Sequence, residues 1–173
     1  MAEHEPTTVD AIAGDSTERG APMPWEEVRE VLADSQLFWL ATAGPAGAPH
    51  VRPVLAVWND GMLYTTTSPQ ARKARNLERD GHCAVTVREE GYDLVLEGRA
   101  TRVRDEPTLK AVQAAYDDKY GWPVTIEGDA FTAPYGAPTA GPPPYAPYAI
   151  VPETVFAFGT DDNRAPRSAR FRF

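Results

Sequence analysis

A single cysteine, Cys83, stands in a chain of 173 residues. One thiol cannot close an intrachain disulfide, and no thiolate cluster exists to hold zinc or an iron–sulfur centre. Long apolar runs are missing too. No stretch approaches the roughly 20 apolar residues that span a bilayer, and no basic segment at the N-terminus leads into an apolar one, so neither secretion nor membrane insertion is supported. The expected compartment is the cytoplasm. Basic charge is scarce: Lys+Arg 17 against Asp+Glu 25 leaves a net charge of -8. A nucleic-acid binder draws affinity from Lys and Arg replacing phosphate counterions, so this balance argues against that class. No carboxylate pair, metal-ligand cluster or Ser-His-Asp arrangement stands out.

What is present suits one globular domain. The apolar share of 42% and charged share of 24% are ordinary, enough to bury a core without staples. Residues 1–22 mix acidic and small residues with almost no large apolar side chain, so they are expected to be a disordered tail ahead of a domain over 23–173. Pro24 opens a short amphipathic helix with Trp25, Val28, Val31 and Leu32 at helical spacing. Strands are expected over 36–42, 49–58 and 62–66, with Gly44-Pro45-Ala46-Gly47 and Asn59-Asp60-Gly61 as turns. Ser68-Pro69 reads as an N-cap and first residue of a helix running to Leu77. Strands over 83–88 and 93–103 flank a Glu89-Glu90-Gly91 turn, and Asp105 caps a helix with Leu109, Val112, Tyr116 and Tyr120 on one stripe. Strands over 149–158 and 168–173 complete the pattern. Short antiparallel strands with few helices predict a mainly β, α+β architecture closed into a small barrel, because closure removes exposed edges.

Residues 121–147 are dense in Gly, Pro and aromatic residues, too proline-rich for regular structure. Two readings stand for Tyr120, Trp122, Phe131, Tyr135 and Tyr145: an aromatic lid over an apolar substrate, or rings that anchor a long loop to the barrel. His82 and Cys83 begin a strand and are read as packing or surface residues, since a lone thiol needs a base partner to act as a nucleophile.

Between His50 and Leu77 hydroxyls and cations converge. A helix N-terminus offers free amides and a positive dipole end, and Arg and Lys add charge, so the start of the helix opening with Arg72 and Lys73, just after Tyr64-Thr65-Thr66-Thr67-Ser68, is a candidate phosphate site. Arg52, one hairpin away, is placed to reach it from the sheet. The competing reading makes Arg72, Lys73, Arg75 and Arg79 a solvated helix face in an acidic protein.

The order His50-Val51-Arg52-Pro53-Val54, Leu63-Tyr64-Thr65-Thr66, then Arg72-Lys73-Ala74-Arg75-Asn76-Leu77 resembles the pyridoxamine 5'-phosphate oxidase-like superfamily of flavin and deazaflavin oxidoreductases, most closely its actinobacterial deazaflavin-dependent branch. With the hairpin from Leu40 to Pro49 and the terminal Ser168 to Phe173, the resemblance spans residues 24–173. It implies an antiparallel split β-barrel with short flanking helices, working as a homodimer with cofactor sites built at the subunit interface. Carried over by position, His50, Arg52, Pro53 and Val54 would face the cofactor, and Thr66, Thr67, Ser68, Arg72 and Lys73 its phosphate. Asn76 lies one helical turn beyond Lys73, and Arg170 would reach the site from either chain. Two departures favour a deazaflavin: Ala56-Val57 stands where flavin-using oxidases of the family often carry a basic residue, and Ala71 where they tend to place serine. The implied activity is hydride transfer between coenzyme F420 and a small organic substrate, the cofactor supplying the chemistry. FMN-dependent oxidase or reductase activity is the alternative, and a non-catalytic flavin or deazaflavin carrier is the reading from another class.

Overall fold

The structure, a computed structural model, describes residues 4–12, 21–136 and 141–173. Its strands are β1 (Thr8–Ala11), β2 (Phe38–Ala43), β3 (Pro49–Val54), β4 (Ala56–Asn59), β5 (Met62–Thr67), β6 (His82–Glu89), β7 (Tyr92–Arg102), β8 (Thr125–Glu127), β9 (Ala130–Thr132), β10 (Ala146–Gly159) and β11 (Ala169–Arg172). Among the described residues three α-helices punctuate them: α1 (Trp25–Asp34), α2 (Arg72–Arg79) and α3 (Glu106–Tyr120).

All pairings are antiparallel, and β3, β2, β6, β7 and β10 follow one another across the main sheet. β10 is the pivot. One edge pairs with β7, while the other pairs with β5 through Ala146–Ile150 and with β11 through Thr154–Ala157. β5 pairs with β4, which continues directly from β3 across Leu55, so the sheet returns to its start. The result is a mainly β split barrel, with β11 and β1 branching from it. Strand alternation fills the interior with Phe38, Leu40, Leu63, Leu94, Leu96, Ile150 and Val155. Gly98 on β7 leaves no room for a side chain against β10: a Cβ there would stand 2.2 Å from the Val151 carbonyl oxygen, beside the bulge between Pro152 and Thr154.

The run 49–58, expected as one strand, is two. At Leu55 the backbone leaves one ladder for another, and α3 supplies the missing partners. The Leu55 carbonyl accepts from Thr65 Oγ1 at 3.0 Å and from the Tyr116 hydroxyl at 3.0 Å. Ala56 N–H donates to the Tyr120 hydroxyl at 3.1 Å, which donates in turn to the Ala56 carbonyl at 2.8 Å. Satisfying these groups is what permits a buried strand break. Asp105 caps α3 as expected, accepting from Thr108 N–H at 3.0 Å, and left-handed Gly121 ends it.

Three expectations are corrected. Pro69 does not begin α2: Ala71 N–H closes a turn on the Ser68 carbonyl at 3.0 Å, so the proline's fixed φ serves that turn and the helix starts at Arg72. The segment 121–147 is not devoid of regular structure, since β8 and β9 form a hairpin and Phe131 pairs with Tyr145. Trp122, Phe131 and Tyr145 are buried with Leu109, Val112 and Tyr116 in a second core, which is the anchoring arrangement rather than a lid. Residues 137–140 lie outside the described residues. Finally, the segment read as a tail contains β1, which adds an edge strand to β11, with Asp10 contacting Arg170 and Arg172. Its few large side chains gave no burial signal; backbone pairing supplies the ordering. Residues 1–3 and 13–20 lie outside the described residues. Removing residues 1–12 is expected to lower the melting temperature by several degrees while leaving one cooperative transition, checked by calorimetry. An unchanged transition would show that β1 contributes nothing in solution.

Candidate functional site

α2 closes one end of the barrel because one of its faces is buried: Lys73, Ala74, Asn76 and Leu77 turn inward. Asn76 Nδ2 donates to Thr42 Oγ1 at 2.9 Å, and Thr42 Oγ1 donates to the His50 carbonyl at 3.4 Å. This chain ties the helix to β2 and β3. Lys73 lies one turn before Asn76 on that face, so it is carried inward with it. It is only 7% exposed. No hydrogen-bond or ion-pair partner meets it among the described residues.

β3 brings the other wall. His50 lies opposite Thr42, Arg52 opposite Leu40 and Val54 opposite Phe38, so all three share the inner side of the sheet. Val51 and Pro53 alternate to the outer side. Burial first, then the charges of Arg52, Arg72 and Lys73, hold His50 below the usual histidine range. Burial first, then Arg52, lowers Lys73. One imidazole therefore feels three cations, and no carboxylate pairs with Lys73, Arg52 or Arg72 among the described residues. Two buried polar atoms, His50 Nδ1 and Thr67 Oγ1, also lack partners among the described residues. Arg72 reaches back over the β2–β3 turn, within 3.1 Å of where a Gly44 side chain would stand. Buried unpaired donors and an unpaired ammonium are costly by themselves, and an anion relieves both costs at once.

The other expected residues divide. Val54 packs in the barrel core, and Pro53 stands on the outer side opposite Trp39; neither faces the cationic cleft. Thr66 alternates away from Thr67 on β5 and is buried. Ser68 is half-buried and gives its carbonyl to the turn before α2. Arg170 sits on β11, opposite Phe156, and its Nη2 meets Asp10 Oδ2 at 3.2 Å, so within one chain it belongs to a different branch of the sheet. The solvated-face reading holds for exposed Arg72, Arg75 and Arg79 but not for buried Lys73, and Arg79 also donates to the Ala43 carbonyl. Sequence reasoning missed Thr42 and Gly44. Their signal was the alternation of β2, which places Thr42 on the same side as Leu40. Among the described residues no cluster of His, Cys, Asp and Glu is arranged to hold a metal ion.

An anion in this cleft must raise the His50 pKa, because it offsets the cations that depress it. The sign for stability follows. With the folded-state value below 6.5, the unfolded chain binds the proton first, so stability falls as pH drops through the window below 6.5. Inorganic phosphate is expected to flatten that fall and to move the His50 imidazole titration upward in an NMR pH series. A titration unmoved by saturating phosphate would sink the anion assignment.

The chain matches the family described as pyridoxamine 5'-phosphate oxidase over residues 24–159. No curated protein matches it. Among solved structures, a heme binding protein from Mycobacterium smegmatis is 20% identical with a TM-score of 0.62, over 81% of this chain and 55% of that one. A FAD-binding protein from Mesorhizobium loti is 18% identical with a TM-score of 0.58, over 87% of this chain and 95% of that one. General Stress Protein 26 from Bacillus anthracis is 17% identical with a TM-score of 0.55, over 76% and 91%. At such identities these likenesses show the shared fold.

Proposed function

Because the chain belongs to the pyridoxamine 5'-phosphate oxidase family, we propose that it is a homodimeric oxidoreductase whose cleft at α2 holds the phosphate of coenzyme F420. The observation that carries this reading is the buried, unpartnered Lys73 beside His50, Arg52 and Arg72. Those groups fit a phosphate: two to three charged donors, an orphaned hydroxyl at Thr67 and the first amides of α2. Ala71 precedes α2 and makes no side-chain hydrogen bond to it, which leaves these amides available. The bound cofactor would supply hydride transfer; Lys73, Arg72 and His50 bind and orient it, and no side-chain acid or base is required of the chain.

The preference for a deazaflavin over FMN rests on the same two departures noted above. Ala56 is fully buried in the barrel and Val57 in the second core, so this stretch of β4 presents no cation to a flavin ring. Dimerisation is supported by the outer face of β3, β2, β6, β7 and β10, which no helix covers among the described residues. Leu37, Trp39, Val51 and Phe158 are exposed there. Hollows of about 350 Å³ beside Leu37, Trp39 and Val95 and about 410 Å³ beside Ala41, Ala43, Pro49 and Ala84 indent it. Because Val51 and Pro53 are the reverse side of the strand that carries His50 and Arg52, a second copy on this face would border the cationic cleft.

Titrating the protein separately with coenzyme F420 and FMN, followed by fluorescence, tests the reading. Tighter binding of F420 is expected, with oxidation of the reduced form by a quinone, enone or biliverdin. Tighter FMN binding would assign an FMN enzyme, binding without turnover a carrier, and binding of neither would remove the phosphate assignment.

A further inference from the structure

The sequence holds three lysines, Lys73, Lys110 and Lys119, and each has a different environment. Lys110 is exposed on α3 and pairs with Glu106 at 2.6 Å. Lys73 belongs to the cationic cleft. Lys119, in the last turn of α3, lies against Phe38, at the opposite end of β2 from Thr42. Its Nζ is 5.1 Å from the centroid of the Phe38 ring and 5.4 Å from that of Tyr120. It donates to the Ala56 carbonyl at 3.1 Å, and no carboxylate pairs with it among the described residues. A crevice of about 540 Å³ opens beside it between α1, α3 and β4, lined by Asp34, Gln36, Val57, Trp58 and Asp118. The amine is thus held on the wall of a cavity, away from the cofactor cleft, by two aromatic rings and one carbonyl.

We infer that Lys119 is a reactive amine and that this crevice takes up small uncharged aldehydes as an imine on its Nζ. Burial pushes the Lys119 amine down to about 8, although Asp34 on α1 and Glu89 on β6 pull the other way. Asp118 on the rim and the Tyr120 hydroxyl, itself pushed up to about 12 by burial, are the other ionisable groups around it. At pH 8 about half of such an amine is free base, against about 0.4% of an ordinary lysine near 10.4. A desolvated lysine against apolar rings is the arrangement that activates an amine toward carbonyl carbon. In the reaction the nitrogen lone pair forms a C–N bond as the carbonyl π electrons move to oxygen. Two N–H protons pass to that oxygen, water departs, and a C=N bond remains. No oxidant or reductant is consumed. Asp34 and Asp118 at the mouth repel anions, which is why the class is uncharged.

Reductive alkylation of the full chain with acetaldehyde and sodium cyanoborohydride, mapped by peptide mass, tests this. Lys119 is expected to label about tenfold faster than Lys110, since a gain on the order of a hundredfold in free amine is partly offset by lower nucleophilicity. The Lys119 rate should rise with pH to a plateau above about 8, and pyridoxal phosphate, an anionic aldehyde, should lose the preference for Lys119. Equal labelling of Lys110 and Lys119, or slower labelling of Lys119, overturns the proposal. The map needs no variant, so a Lys119→Arg protein that failed to fold would not protect it; if that variant folds, the fast site should vanish.

Discussion

Lys73→Met is expected to raise the melting temperature of the ligand-free protein while weakening phosphate-bearing cofactors about ten- to a hundredfold. The two effects have one cause. Lys73 is carried into the barrel end by α2, meets no acceptor among the described residues, and feels Arg52. Burying a charge without a partner costs stability, and replacing it with an apolar side chain of similar length recovers part of that cost. A charge-assisted contact to phosphate contributes roughly 1.5–3 kcal/mol, which is the affinity the variant loses.

Linkage gives a second readout. With its folded-state value below the usual 10.5, Lys73 binds its proton less readily in the folded chain than in the unfolded one. Wild-type stability should therefore rise with pH across the window just below 10.5, and the Met variant should lack this part of the rise. Arg75→Ala, exposed on the same helix, is the control that should change neither quantity much. Arg79 is a poor control because it braces the Ala43 carbonyl. Calorimetry and a fluorescence titration decide the matter. A Lys73→Met protein that is less stable and binds as before would make this lysine a structural residue.

Why some of this was legible in the sequence and some was not follows from the forces involved. The hairpin at Asp60 and Gly61 was legible because both residues take left-handed φ values, 49° and 75°, which few sequences tolerate. The Asp105 cap and the stripe on α3 were legible because capping and amphipathicity are local. The break at Leu55 was not: Pro53 lies inside β3 and does not mark it, and the compensating donors, Tyr116 and Tyr120, lie some sixty residues away. β1 was hidden for the same reason, since an edge strand held by backbone pairing needs no apolar signature. At the site, residue types were legible but directions only in part. His50, Arg52, Pro53 and Val54 were carried to one wall together by position in the family pattern, whereas strand alternation turns Pro53 outward and packs Val54 in the core. Arg170 was assigned by position in a family pattern, and within one chain Asp10 holds it.

Trp39→Glu is expected to convert the proposed homodimer to monomer. The row Pro53, Trp39, Thr86, Val95, Phe156 crosses five strands in register on the outer face, and its members carry no charge. Trp39 is 47% exposed on β2, one strand in from β3, near Leu37 at 50% and Val51 at 45%. A two-fold interface uses the same patch on both copies, so one substitution acts twice. A buried tryptophan anchor contributes roughly 2 kcal/mol or more, so the dimer dissociation constant should rise on the order of a thousandfold. Folding should survive, because the indole contributes little to the barrel core and a strand surface accepts glutamate at modest cost. Tyr135→Glu, at a side chain 56% exposed beside the second core, is the matched control and should leave the dimer intact. Light scattering reads the mass and circular dichroism the fold. If the second copy borders the cleft across β3, cofactor affinity of the Trp39→Glu protein should fall with the dimer fraction and recover at high protein concentration. Wild-type protein that is monomeric at micromolar concentration while still binding its cofactor would remove this interface and, with it, the expectation that two chains build the site.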